Sequence, residues 1–157
     1  TDVEITGSAE ESDYLAPFES EDMTSWDASK LAAEEAYNQA GITPNDVDIA
    51  ELHDAFTSVE LISYEDLGFC RKGEGKEMIR KGVTNIDGKL PVNTSGGLKA
   101  KGHPISATGI SQIYELVKQI RGEAGDRQVS NVKYALAQNI GGAGSTVAVH
   151  VLKRVAS

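Results

Sequence analysis

The stretch Asn93-Thr-Ser-Gly-Gly-Leu-Lys-Ala-Lys-Gly-His-Pro-Ile-Ser-Ala-Thr-Gly109 decides how the rest of the chain reads. Two glycine clusters enclose one histidine, His103, which sits between Gly102 and Pro104. Glycine serves where the backbone needs positive φ or must approach another group closely. Pro104 steers His103 away from helical conformation, because the proline ring crowds the α region of the residue before it. Small residues follow, and a helix is expected to begin with Ser106 or Thr108 near its N-terminus. Such a segment is a structural turn with a cap, or a frame that presents one imidazole to a reacting group. Asn93, Ser95 and the backbone N–H groups around Gly96 and Gly97 are candidate hydrogen-bond donors to a ligand. Gly-His-Pro lacks the Gly-Lys-Ser/Thr of a phosphate-cradling loop, which excludes that mechanism.

C-terminal to this loop, Ala107, Ile110, Ile113, Tyr114, Val117 and Ile120 keep the spacing of a helix packed on a sheet, ending at Gly122. Val132 to Ile140 and Ser145 to Val155 read as an antiparallel hairpin around Gly141-Gly-Ala-Gly144. Val147, Val149 and Val151 alternate cleanly, and His150 falls on the opposite face. Asn139 lies at a strand end before this glycine turn, so it is a turn residue or a second polar group aimed at a site.

N-terminal to the loop, Val3-Glu-Ile-Thr reads as a strand ending at Gly7, and residues 8 to 23 as a long acidic loop. Thr24 to Asp27 fits a capping box for a helix whose face is Ala28, Leu31, Ala32, Ala36 and Ala40, stopped by Gly41. Ile42 to Asp48 is a turn. Ile49 to Ala55 is expected to be a buried strand running into a helix over 57–67, with Val59, Leu61, Ile62 and Leu67 inward. A short helix over 76–81 and a turn at 85–88 follow. His53, in Glu51-Leu-His-Asp-Ala-Phe56, falls at the strand-to-helix junction, where open α/β sheets place ligands. Taken alone it is a packed structural histidine or an imidazole facing a cleft, and Asp54 orients it, caps the helix, or both.

The order strand, helix, strand, helices, glycine loop, helix, strand, strand predicts one α/β domain over 1–157, with a mixed five-stranded sheet layered with helices. A chain of 157 residues buries a real core. Its net charge of −9 argues against nucleic-acid binding, and no apolar run approaches a membrane span. Thr1 in place of Met reads as a start other than the native one, without the features of a secretion signal. The single cysteine, Cys70, precludes an internal disulfide and favours a reducing, cytoplasmic setting. Arg71 and Lys72 stand ready to lower its pKa, but nothing places it near the histidines, and it reads as structural. The three histidines lack metal-ligand spacing and a cysteine pair, so no metal is expected.

Two histidines and an asparagine at strand ends or glycine loops have the makings of a proton-moving, oxyanion-stabilising site without a nucleophile. Their motifs, His53-Asp-Ala-Phe56, Ser95 to Gly109 and Asn139-Ile-Gly-Gly-Ala-Gly144, resemble in order and spacing the three C-terminal motifs of the thiolase superfamily. The closest branch is the sterol-carrier-protein and archaeal acetyl-CoA acetyltransferase type. The resemblance implies a thiolase-like C-terminal domain whose N-terminal, nucleophile-bearing half is absent here. It implies an acyl-CoA C-acyltransferase with a coenzyme A thioester as substrate and no other cofactor, in a homo- or hetero-oligomer. His103 would activate the partner half's cysteine and help form an oxyanion hole, and His53 would serve a second oxyanion site. Asn139 would complete the catalytic set, and Ser95, Gly96 and Gly97 would contact the thioester ligand. A small zinc-ribbon/OB-fold acyl-CoA-binding protein is the implied third partner. Two positions depart from the pattern. Asn139 stands where the main thiolase branch has an acid/base cysteine, and Ala55 where the sterol-carrier branch has one. The departures leave two alternatives: a retro-aldolase-type subunit, or a non-catalytic scaffold that channels acyl-CoA.

Overall fold

The computed structural model describes residues 2–155; Thr1, on which the reading of the chain start rested, lies outside them, as do residues 156 and 157. Four strands form one mixed sheet: β1 (Asp2–Ser12), β2 (Ile49–Glu51), β3 (Tyr134–Gly141) and β4 (Thr146–Val155), in the order β1-β4-β3-β2. β1 and β3 both run antiparallel to β4, and β2 runs parallel to β3. The expected five-stranded sheet is therefore a four-stranded one. Beyond β2 only a single bridge forms among the described residues, between Ala50 and Val92, because the chain leaves the sheet at once into the glycine loop.

The helices are α1 (Asp27–Ala40), α2 (Thr57–Asp66), α3 (Gly75–Arg80), α4 (Gly97–Lys101) and α5 (Thr108–Arg121). Strand alternation sends Leu136, Ile140, Val147, Val149 and Val151 into one core with α1. Ala135, Ala137 and Leu152 enter a second core with Leu116 and Ile120 of α5. The sheet is thus covered on both faces. No helix among the described residues is long and apolar enough to cross a membrane.

Alanine sets how close α1 can lie. Ala28, Ala32, Ala33 and Ala36 are buried, while Leu31, expected inward, is half exposed. The chain of β1 passes so near that a Cβ on Gly7 would lie 2.2 Å from the Ala36 carbonyl oxygen. β1 also extends beyond Gly7 to Ser12, pairing with β4 as far as Thr146, so residues 8–12 are strand rather than loop. Glu4 and Glu10 are exposed along this edge strand, where charge discourages pairing with another chain.

The expected capping box at Thr24 is not formed. Trp26 is the N-cap residue of α1 and its side chain caps nothing. Asp13 instead accepts the N–H groups of Asp27 and Ala28, at 3.0 and 3.3 Å, and Asp66 accepts that of Trp26 at 2.8 Å. Carboxylates from distant segments satisfy the helix start and suit its positive end. The other end follows the sequence: Gly41 has φ 65° and donates to the Tyr37 and Asn38 carbonyls.

Two helices are rotated from their expected faces. On α5, Ile110 and Tyr114 are exposed, and Thr108, Gln112, Leu116, Gln119 and Ile120 are buried. On α2, Ser63, Tyr64 and Asp66 are buried, and Val59, Leu61 and Ile62 only partly so. On α5 burial goes to polar side chains that have partners: Gln112 donates to the Gln138 carbonyl and Gln119 to that of Arg127, whereas the buried Ser63 hydroxyl of α2 has none among the described residues.

Replacing Gly7 by Ala should cost at least about 2 kcal/mol, since β1 or α1 must shift to make room. The Glu4→Ala change on the same strand should stay within about 0.5 kcal/mol. Urea midpoints of the two variants test the close approach directly.

Candidate active site

β2 ends at Glu51, and the next residues carry the site. Leu52 donates its N–H to Asn93 Oδ1 at 2.7 Å, which brings the end of β2 to the start of the glycine loop. Glu51 and Asp54 then take up the loop. Glu51 accepts from the Ser95 amide at 3.0 Å and from the Ser95 hydroxyl at 2.5 Å. Asp54 accepts the Leu98 amide at 2.6 Å, at the start of α4. Both carboxylates are buried, with Lys101 at 3.6 Å from Glu51 and Lys99 at 3.9 Å from Asp54. Burial pushes the Glu51 pKa up, against the pull of Ser95 and Lys101. A Cβ on Gly97, whose φ is 62°, would lie 2.2 Å from Asp54 Oδ2. Glycine is required there for both reasons.

α4 was not expected; it is a five-residue helix between Gly96 and Gly102, whose φ values are 96° and 92°. It delivers His103 beside His53. Their ring centroids are 5.0 Å apart and the rings meet edge to face at 88°. His103 Nδ1 lies 2.7 Å from the Thr108 hydroxyl, which lies 3.2 Å from the Pro104 carbonyl. Thr108 has one proton to donate and the carbonyl can only accept. Both contacts are hydrogen bonds at once only if His103 carries its proton on Nδ1. In the neutral ring Nε2 then keeps an open lone pair. α5 begins at Thr108 rather than Ser106, since Ser106 has φ 71° and cannot continue a helix.

His53 is 6% exposed, and its Nδ1 has no hydrogen-bond partner among the described residues. Its pKa is lowered to about 4, first by burial and then by the charge of His103, with Asp54 opposing. At neutral pH His53 is a neutral imidazole with one N–H and one lone pair.

A cleft of about 830 Å³ opens over these residues. His53, His103 and Asn139 all line it, so the three motifs converge on one space. Ala55, Ala137, Ala148 and Gly109 give it small walls, and exposed Phe56, Ile105 and Ile110 flank it. His150 lines the far end, half-buried, 3.0 Å from the Ser8 hydroxyl, with its pKa lowered by burial. Ser95, Gly96 and Gly97 do not line the cleft: their polar groups serve the loop itself, with Gly97 N–H donating to the Ser95 hydroxyl. Cys70 lines a separate cavity of about 480 Å³. Its pKa is raised to about 11 by burial and by Glu65 and Glu74, the reverse of the shift expected from Arg71 and Lys72. Lys72 lies 3.7 Å from both Glu65 and Asp22.

Three residues matter here that the sequence did not single out. Thr108 sets the tautomer of His103. Gln112 donates to the Gln138 carbonyl at 2.9 Å and accepts from Asn139 Nδ2 at 3.2 Å. Trp26 donates to the Ala143 carbonyl and packs over the last glycine turn, where a Cβ on Gly144 would lie 2.0 Å from its ring. A polar residue recurring on a helix face otherwise destined for the core was the one available sign of Gln112.

A mixed sheet between helix layers, with two histidines at one end of the parallel strand pair, defines the class, and the chain belongs to the thiolase C-terminal domain-like family, whose model matches residues 9–154. Its relatives include the acetyl-CoA acetyltransferase of Methanothermobacter thermautotrophicus, 48% identical over 98% of this chain and 40% of that protein. Human sterol carrier protein 2 is 45% identical over 92% of this chain and 27% of that one. Among solved structures, an Ltp2-ChsH2(DUF35) aldolase superposes with TM-score 0.88 at 31% identity, over 97% of this chain and 39% of that chain. A monomeric SCP2-thiolase-like protein type 1 from Mycobacterium smegmatis shares the fold, with TM-score 0.72 at 22% identity. The chain thus spans two fifths or less of the length of these relatives.

Two outcomes test the geometry. Asp54→Ala leaves the buried Leu98 N–H without its acceptor and should cost about 1–3 kcal/mol, read from the denaturant midpoint. His53 holds fewer protons folded than unfolded between pH 6.5 and about 4. Stability should therefore fall as pH drops through that window, by up to roughly 3 kcal/mol from this group. His53→Asn should remove that part of the slope, with an NMR titration of the His53 ring as the direct measure.

Proposed function

We propose that this chain is the C-terminal half of a thiolase-type acyl-CoA C-acyltransferase, working with a half that carries the nucleophilic cysteine. The observation that carries the reading is the histidine pair, one neutral and buried, the other with an open Nε2 lone pair, at the mouth of a cleft. His103 Nε2 takes the proton of the partner's thiol as the thiolate attacks an acyl-CoA carbonyl. The N–H of neutral His53 donates to a thioester oxygen as it gains negative charge. Asn139 lines the same cleft and orients the acyl group. The acetyltransferase relative supports the substrate class, and its greater length supports a partner half. Ser95, Gly96 and Gly97 act on the thioester only through the loop they shape. The coenzyme A ester is the substrate, no further cofactor enters the reading, and the cytoplasm is the compartment that keeps the thiol reduced.

A second reading, aldol cleavage, has its own support. Ala55 and Asn139 provide no thiol for acid/base work, and the matched structure at 31% identity is an aldolase. In this reaction a β-hydroxyl proton passes to His103, the C–O pair becomes a carbonyl, and the Cα–Cβ bond breaks. Its electrons form the thioester enolate beside His53, and the proton returns to Cα. The step balances without a nucleophilic cysteine and without an oxidant. That aldolase pairs Ltp2 with ChsH2(DUF35), which supports a second protein as partner for this chain; a small zinc-ribbon/OB-fold protein is the partner this reading takes.

Assembly with a nucleophile-bearing half should yield thiolysis of β-ketoacyl-CoA, and labelled acyl-CoA should mark that half's cysteine. His103→Ala should lower kcat by about a hundredfold or more. Full thiolysis and labelling by the variant would remove His103 from its role, and labelling that does not need this chain at all would make it a scaffold.

A further inference from the structure

The amide of Asn139 has a fixed orientation. The Gln138 backbone carbonyl can only accept, so Gln112 must turn its Nε2 toward it, 2.9 Å away. Gln112 Oε1 is then the atom that faces Asn139, which must present Nδ2, 3.2 Å away. Gln112 is 1% exposed and Gln138 fully buried. The Gln138 side chain is tied in turn to Ser29 of α1 at 2.7 Å. Flipping the Asn139 amide would set its oxygen against Gln112 Oε1, which lies on a buried side chain, and lose that hydrogen bond. The nitrogen is also the amide end nearer α5, since a Cβ on Gly109 would lie 3.8 Å from Nδ2. Oδ1 is left with no partner among the described residues, on a side chain that lines the cleft with both histidines.

We propose that Asn139 selects the substrate: its Oδ1 accepts a hydrogen bond from a hydroxyl on the β-carbon of an acyl thioester, so the site takes β-hydroxyacyl thioesters over β-ketoacyl ones. The proposal rests on the aldol-cleavage reading. A hydroxyl has the proton that Oδ1 lacks. A β-ketone has only lone pairs, and at the same place it sets oxygen against oxygen. Sites built to pair a substrate hydroxyl discriminate strongly, because the analogue without it leaves a desolvated protein group unpaired. The hydroxyl has one proton: it donates to Oδ1 as the ester binds, and must turn that proton from Oδ1 to His103 Nε2 before the Cα–Cβ bond breaks. Gln112 is a positioning residue that acts through Asn139.

The test is calorimetric binding of 3-hydroxybutyryl-CoA and acetoacetyl-CoA to the complete protein and to its Asn139→Ala and Gln112→Leu variants, with thermal unfolding as the check on folding. The wild type should bind the hydroxy ester about tenfold more tightly. Asn139→Ala should bind both esters alike, and Gln112→Leu, which frees the amide to rotate, should narrow the gap. Equal wild-type affinities, or tighter binding of acetoacetyl-CoA, would overturn the proposal, and acetaldehyde release from 3-hydroxybutyryl-CoA would still leave the aldol-cleavage reading standing. Binding of neither ester would overturn both. A preference that survives Asn139→Ala would take the selection away from Asn139.

Discussion

Everything at the cleft end of this domain depends on two buried carboxylates accepting backbone N–H groups from a loop more than forty residues later in the chain. Glu51 and Asp54 leave β2 on either side of His53 and receive the Ser95 and Leu98 amides. The loop has few apolar contacts of its own, so charge-assisted hydrogen bonds in a low-dielectric setting hold it. The acids that fix the loop flank the histidine that needs it. This arrangement sets the edge-to-face approach of His53 and His103 without asking either ring to serve as a strut.

The neutral state of His53 follows from that division of labour. Asp54 is spent on a backbone amide and a lysine, so it does little to hold a proton on His53. Burial and the neighbouring ring then favour the uncharged imidazole. Thr108 gives His103 the complementary asymmetry, one nitrogen occupied and the other open. Two chemically identical side chains thus differ in which ring atoms stay free, because of what their outer atoms touch.

Much of the fold was legible in the sequence because its signals were local. Gly41 and Gly122 end their helices, the β3–β4 hairpin forms around the glycine turn, and the valines alternate as their spacing demands. The errors came where distant groups decide. The start of α1 is satisfied by Asp13 and Asp66, which no capping pattern encodes. The face of α5 is set by polar side chains with remote partners, and Asp66 of α2 is held by Ser25 and Trp26, contacts that a hydrophobic period cannot see. The fifth strand was expected of the architecture rather than spelled out by any run of residues. At the site, the motifs named His53, His103 and Asn139, and all three share the cleft. The partners that orient them were invisible, because a hydrogen bond between Asn139 and a helix residue leaves no mark on spacing.

Trp26 shows how far such remote contacts reach. It is the chain's one tryptophan, and its indole N–H is fastened to the Ala143 carbonyl beside Gly144. The tryptophan emission of this chain, excited beyond the absorption of its tyrosines, therefore reports on that glycine turn. A single ultraviolet emission spectrum can follow, without any label, whether the turn after Asn139 loosens when a partner docks or a ligand enters.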